Sequence, residues 1–188
     1  MTASRSKSSL ESQPYNSSKM RPLQGATRLS FLGFFASHII ITLIIDSQAI
    51  APLEWIPVVL QDLLAFEVTT FNDPLMGNAR ELLWFQSLVT CELFFQVPYF
   101  LAAVYFFRGE TASAYPDWFR SFSIAYGAHT ATTMAPILTI LATNEAASLQ
   151  ERLLVTSVYL PYLIFPLWIL WIAATDNSTP PPLKNKTS

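Results

Sequence analysis

The chain is 188 residues long, 52% hydrophobic, 14% aromatic and only 13% charged, with a formal net charge of −2. Water-soluble domains carry roughly twice that charged fraction, so the surplus of apolar side chains must face something other than water. The mildly acidic balance, with no basic stripe interleaved with aromatics, excludes a nucleic-acid binder. Cys91 is the only cysteine, which rules out an intrachain disulfide; inside its apolar run it reads as a small buried hydrophobe.

In chain order, residues 1–27 are Ser-rich and polar, with Pro14 and Pro22, and read as a disordered tail. They hold one acid, Glu11, but lack the apolar helical face of a mitochondrial transit peptide. Four apolar runs follow: Leu29–Ile45, Leu82–Phe107, Ser121–Asn144 and Leu153–Thr175. A spanning helix needs about 20 residues, which places spans at about 29–50, 82–107, 119–143 and 153–175. The expected fold is an all-α membrane protein, a four-transmembrane-helix bundle.

Between spans one and two, "LEWIPVVLQDLLAFEVTTF" has apolar residues at Val59, Leu60, Leu63, Leu64 and Val68, the spacing of a short amphipathic helix. "NDPL" at 72–75 then resets the chain, with Pro74 fixing the backbone and Asp73 able to cap a turn. After span four, Pro180, Pro181 and Pro182 prevent any continuation of helix. Residues 176–188 read as a cytoplasmic tail whose Lys184 and Lys186 form a KxKxx-type signal for retrieval to the endoplasmic reticulum. Nine cations (Arg5, Lys7, Lys19, Arg21, Arg28, Arg108, Arg120, Lys184, Lys186) fall on one side of these spans, against Arg80 and Arg152 on the other. By the positive-inside rule both termini are cytoplasmic. The Asn-x-Ser/Thr sequons at Asn16, Asn177 and Asn185 are then on the unglycosylated side.

Polar residues within the runs carry the functional signal. Ionisable groups inside a bilayer are expensive and usually face the bundle interior. His38, Thr42 and Asp46 recur every four residues in span one, and Glu92, Gln96 and Tyr99 share a face of span two. Span three offers Tyr126, His129, Thr132 and Thr133; span four offers Tyr159 and Tyr162. Pro98, Pro136, Pro161 and Pro166 each remove a backbone hydrogen bond, and kinked helices splay enough to enclose a pocket. Two carboxylates in one low-dielectric site cannot both ionise cheaply, so Asp46 and Glu92 are expected to share a proton. Such a pair suits a cationic amphiphile or a hydroxyl, with aromatic side chains around its apolar body. Two plainer readings stand beside this one: Asp46 as a cap in the headgroups, and Glu92 as interhelical glue bonded to His129 or a tyrosine. No HxxxH or CxxC spacing and no Gly-rich phosphate loop is present, so neither a metal nor a cofactor is expected.

The stretches "SHIIITLIIDSQA", "FNDPLMG", "CELFFQVPYF", "AHTATTMAPIL" and "LQERLLVTSVYLPYLIFPL" together resemble the sigma-2 receptor (transmembrane protein 97) family. This family lies in the EXPERA group with the emopamil-binding sterol isomerase, and the chain looks like a fungal-type member. The resemblance covers about residues 28–175. It implies a four-helix bundle of the endoplasmic reticulum membrane, typically a homodimer, with an occluded pocket open sideways to lipid. It implies that Asp46 pairs with a ligand amine, that Glu92 bonds to Asp46, and that His38, Gln96, Thr133, Tyr159 and Tyr162 line the site. Asp73, and His129 beside it in support, would hold the lumenal lid. The implied ligands are oxysterols and cationic amphiphiles, and the implied roles are sterol or lipid trafficking and contact with partner membrane proteins. Fungal relatives add an alternative, an interaction or quality-control role in targeting mitochondrial precursors. Acid–base groups in Glu92, Asp46 and His129 make isomerase chemistry conceivable. The chain has four expected spans where the isomerase has five, however, and its His/Glu arrangement is not matched. A binding protein without catalysis is therefore expected.

Overall fold

The computed structural model describes residues 19–110 and 113–176. The retrieval lysines and all three sequons lie outside the described residues. Among the described residues the chain is all helical, without strands.

The first helix, α1, runs Gly25–Ile44 and is followed by a 3₁₀ turn at Asp46–Ala49 that redirects the chain. Gln48, buried, pins this turn: its side-chain amide donates to Ile44 O at 2.7 Å and to Leu60 O at 2.9 Å. Leu60 belongs to α2, Val58–Phe71, so one glutamine sets where α2 lies across the bundle end. The spacing-based helix is present, but its apolar residues divide. Val59 and Leu63 are exposed, whereas Leu64, Val68 and Phe71 pack inward. α2 ends on Asn72 in the left-handed region (φ 50°), a conformation a short polar side chain tolerates. Asp73 then caps α3, Pro74–Gly77, its Oδ1 accepting from Leu75 N (2.8 Å) and Met76 N (3.1 Å).

The next segment is continuous but not uniform. α4, Leu83–Cys91, passes into a π-helical turn at Glu92–Gln96 and then into α5, Val97–Phe107. Val97 N–H reaches Glu92 O, five residues back. Pro98 explains the wider turn: it has no N–H to offer Phe94 O and its ring crowds that carbonyl, which the extra residue per turn relieves. α6 spans Asp117–Thr143 and carries Pro136 inside. α7, Leu149–Tyr159, starts with a capping box in which Ser148 and Glu151 satisfy each other's backbone N–H. α8, Pro161–Thr175, follows at once, with Leu160 in helical geometry between them. α6 and α8 approach closely at Gly127, where an added Cβ would sit 2.6 Å from Leu170 Cβ and from Pro166 O.

Among the described residues three stretches are long and apolar enough to cross a membrane: Gly25–Ala49, Leu83–Phe107 and Leu149–Thr175. At about 1.5 Å per residue the 27-residue α6 has the length as well. Its threonines, serines, His129 and Gly127 keep it outside the apolar set.

The interior has two halves. At the end carrying both described termini, Phe31, Phe35, Tyr99, Phe107 and Phe119 form a solid aromatic core. Tyr99 stacks on Tyr126 at 4.1 Å and Phe34 on Phe165 at 4.3 Å. The residues before α1 belong to this core. Met20 is fully buried, Tyr115 N–H donates to Met20 O, and Leu23 N–H donates to the Tyr115 hydroxyl. Arg21 pairs with Asp176. Residues 19–27, expected within a disordered tail, are instead packed here, because Met20 and Leu23 bury apolar surface that composition alone does not register. Arg28 is buried too, donating to Phe107 O at 2.8 Å at the C-terminal end of α5, where a cation is favoured.

Candidate functional site

The other half is hollow. A cavity of about 230 Å³ opens below the aromatic core, walled by α1, α2, α4, the π turn, α6, α7 and α8. Ile41, Ile45, Phe85, Val89, Met134 and Ile137 make most of its lining apolar. Its polar wall is made by His38, Asp46, Glu67, Glu92, Gln96, Thr130, Thr133, Tyr159 and Tyr162.

The centre of that wall is a three-residue group. One ligand atom each from His38, Asp46 and Glu92 lie within 4.8 Å of one another. His38 Nε2 is 3.1 Å from Glu92 Oε1, and Thr42, fully buried, donates to the same oxygen at 2.7 Å. Local geometry explains the convergence. His38 and Thr42 are one turn apart on α1, and the 3₁₀ turn after Ile44 brings Asp46 round towards them. The π turn, at about 4.4 residues per turn, sets Gln96 about 30° short of a full turn from Glu92, so the two side chains share one side of the segment. The His38 ring is clamped between Phe100 (4.4 Å) and Tyr162 (4.6 Å), and its Nδ1 is buried without a hydrogen-bond partner. Gln96 is held from α6, accepting from Thr130 Oγ1 at 3.2 Å.

All seven residues expected at the ligand site, His38, Asp46, Glu92, Gln96, Thr133, Tyr159 and Tyr162, thus face one cavity. Asp73 lies behind it. Its Oδ2 accepts from Tyr159 Oη at 2.6 Å, so the carboxylate that caps α3 also aims a wall tyrosine. His129 departs from expectation. It is absent from the cavity wall and packs edge-on against Phe95 at 5.1 Å, because the inward position on this turn of α6 belongs to Thr130. The partners of Glu92 are therefore His38 and Thr42 rather than His129. Cys91 is a second correction: it is exposed, since one residue along a helix turns about 100° and Glu92 takes the inward side.

Three contributors lie outside the sequence-based readings: Thr130, Gln48 and Glu67. Thr130, with Thr42 from the polar stripe of α1, orients the two inward polar groups of the π turn, and Gln48 fixes the turn after α1. Glu67 of α2 adds a third acid to the wall. Its Oε2 is buried without a hydrogen-bond partner, and burial, then the nearby Asp73 charge, push its carboxyl up to about 7. Its position within an acidic, half-apolar helix was the available clue.

The site is a mostly apolar hollow in an all-helical bundle, with three acids in its polar wall. The EXPERA (EXPanded EBP superfamily) profile matches residues 59–173, and the chain belongs to this family. It is 38% identical over 149 residues to "Sigma intracellular receptor 2" of Homo sapiens, covering 73% of this chain and 81% of that protein. The protein of the same name from Xenopus tropicalis is 37% identical, covering 74% and 83%. "Efficient mitochondria targeting-associated protein 19" of Saccharomyces cerevisiae is 28% identical over 157 residues, covering 76% and 94%.

Proposed function

We propose that this chain is an intramembrane binding protein, not an enzyme, that takes the head of a sterol, oxysterol or cationic amphiphile at the Asp46–Glu92 pair. The observation that carries the reading is charge without compensation. Among the described residues no lysine or arginine lies within 4 Å of Asp46, Glu67 or Glu92, and His38 is the only basic partner. Buried carboxylates must find a proton, a donor or a cation. A protonated amine or a sterol hydroxyl meets that need, and the Phe, Met and Ile lining takes the adjoining hydrocarbon. The cavity is smaller than the roughly 300–1,000 Å³ usual for whole ligands, so a sterol-sized guest would leave part of its body outside it.

In this reading α6 is also a span, the third in chain order, tied to α8 at Gly127, and the termini face the cytoplasm of an endoplasmic reticulum membrane. Homodimerisation and sterol or lipid trafficking are carried in this reading by the family likeness alone. The similarity to the S. cerevisiae protein supports a second reading, in which the bundle assists mitochondrial precursors at the reticulum surface. Purified protein titrated with a radiolabelled oxysterol and with a long-chain alkylamine separates the two. Asp46→Asn and Glu92→Gln are each expected to weaken binding at least about tenfold, the weight of one lost charged contact. Saturable binding that both variants retain would remove the head-group role, and absence of binding by wild type would leave the targeting reading.

A further inference from the structure

Glu67 is the acid that the head-group reading leaves unused. It reaches the cavity from α2, an element outside the spans, whereas Asp46 and Glu92 reach it from the ends and middles of spans. Glu92 has two donors: Thr42 and His38 both meet its Oε1. Glu67 Oε2 has none, although it is buried. The other groups around this end of the hollow do not serve it. Asp73 is committed to Leu75, Met76 and the Tyr159 hydroxyl, and that hydroxyl's proton is directed at Asp73. Arg80, the nearest guanidinium in the chain order, donates to Gln48 O and Ala51 O. His38, the one basic group on the wall, is turned to Glu92 and enclosed by Phe100 and Tyr162.

We infer that Glu67 forms a second anionic subsite, and that the cavity selects amphiphiles whose head carries two cationic or donor groups, one for the Asp46–Glu92 pair and one for Glu67. The inference rests on the head-group reading for the first group and on Glu67 alone for the second. A single ammonium at Asp46 and Glu92 leaves the buried Glu67 oxygen unmatched, which is costly inside a low-dielectric wall. A second ammonium a few bonds away satisfies it and holds it as the anion. The dimensions agree, because a short diamine head fits within about 230 Å³.

The test uses the full chain in non-ionic detergent at pH 7.5, titrated with dodecylamine and with N-dodecyl-1,4-diaminobutane, which share a tail and differ in one amine. Wild type is expected to bind the diamine about tenfold more tightly, the effect of one added charge pair. Glu67→Gln is expected to bring the ratio within about twofold, and Glu67→Asp to give an intermediate ratio. Glu54→Gln, an exposed acid outside the cavity, keeps the wild-type ratio and controls for net charge. A wild-type ratio near one, or a ratio that Glu67→Gln leaves intact, overturns the subsite. The two readings fail separately. If Asp46→Asn leaves dodecylamine binding untouched while Glu67→Gln still removes the preference, the head-group reading falls and the subsite stands. If Asp46→Asn weakens both amines and the ratio never depended on Glu67, the reverse holds.

Discussion

The aromatic end and the hollow end of the bundle use the same helices to opposite effect. At the first, Phe31, Phe35, Tyr99 and Phe119 are fully buried and ring meets ring at 4–6 Å. At the second, partly exposed apolar side chains and acids surround open volume. Stability is thereby concentrated in one half, and the other half is free to keep buried charges apart from cations. The π turn lies at the boundary, its Gln96 facing the hollow while Tyr99, three residues on, is locked in the solid core.

The sharpest way to break this division is Phe35→Ala. Removing a buried phenylalanine costs about 3–5 kcal/mol, read as a large fall in melting temperature. Ligand affinity per folded molecule is expected to hold, and a specific loss of affinity would show that the halves are not separate. Gly127→Ala comes next, because its Cβ meets the Pro166 carbonyl and Leu170 at 2.6 Å and backbone cannot yield cheaply. We expect about 1–3 kcal/mol of destabilisation by overpacking, measured by thermal melting. Tyr159→Phe, in the hollow half, removes the hydroxyl that donates to Asp73 at 2.6 Å. The loss is about 1–3 kcal/mol for a bond to a charged group, and here affinity should fall together with stability.

The smallest effect is a pH profile. The Glu67 carboxyl titrates near 7 in the folded chain, above its ordinary 4.5. A raised folded value means the group favours folding below about 4.5 and that this contribution is lost as pH rises through about 7. Glu67→Gln should therefore gain melting temperature relative to wild type between pH 5 and pH 8, modestly, because the side chain is partly exposed. A difference that is flat across that range would show that Glu67 is solvated in both states.

What could be read from the linear chain depended on how local each signal is. The spans and the anomaly of Glu92 are properties of consecutive residues, and the four-residue recurrence of His38, Thr42 and Asp46 needs only helical period. Matching motifs supplied Gln96, Thr133, Tyr159 and Tyr162. Cys91 and His129 were misplaced because each neighbours an inward residue, Glu92 or Thr130, and a rotation of one position reverses the outcome. Glu67 was missed for a different reason. Its direction depends on where the Gln48–Leu60 and Asp73–Tyr159 contacts set α2 down against the bundle, and these are 12 and 86 residues apart. The turn at Glu92–Gln96 was invisible as such, since Pro98 suggests a kink and not the form it takes.

That turn makes the second transmembrane segment a screw with one thread too many. Trimming a single amino acid between positions 92 and 96 would let an ordinary α-helix close up with its two flanks nearly in register, because five residues of π turn and four of α-helix each advance about 400°. The Pro98 ring would then crowd the carbonyl one turn before it, so the surplus residue relieves the proline while the carboxylate and the packed rings keep their sides of the segment.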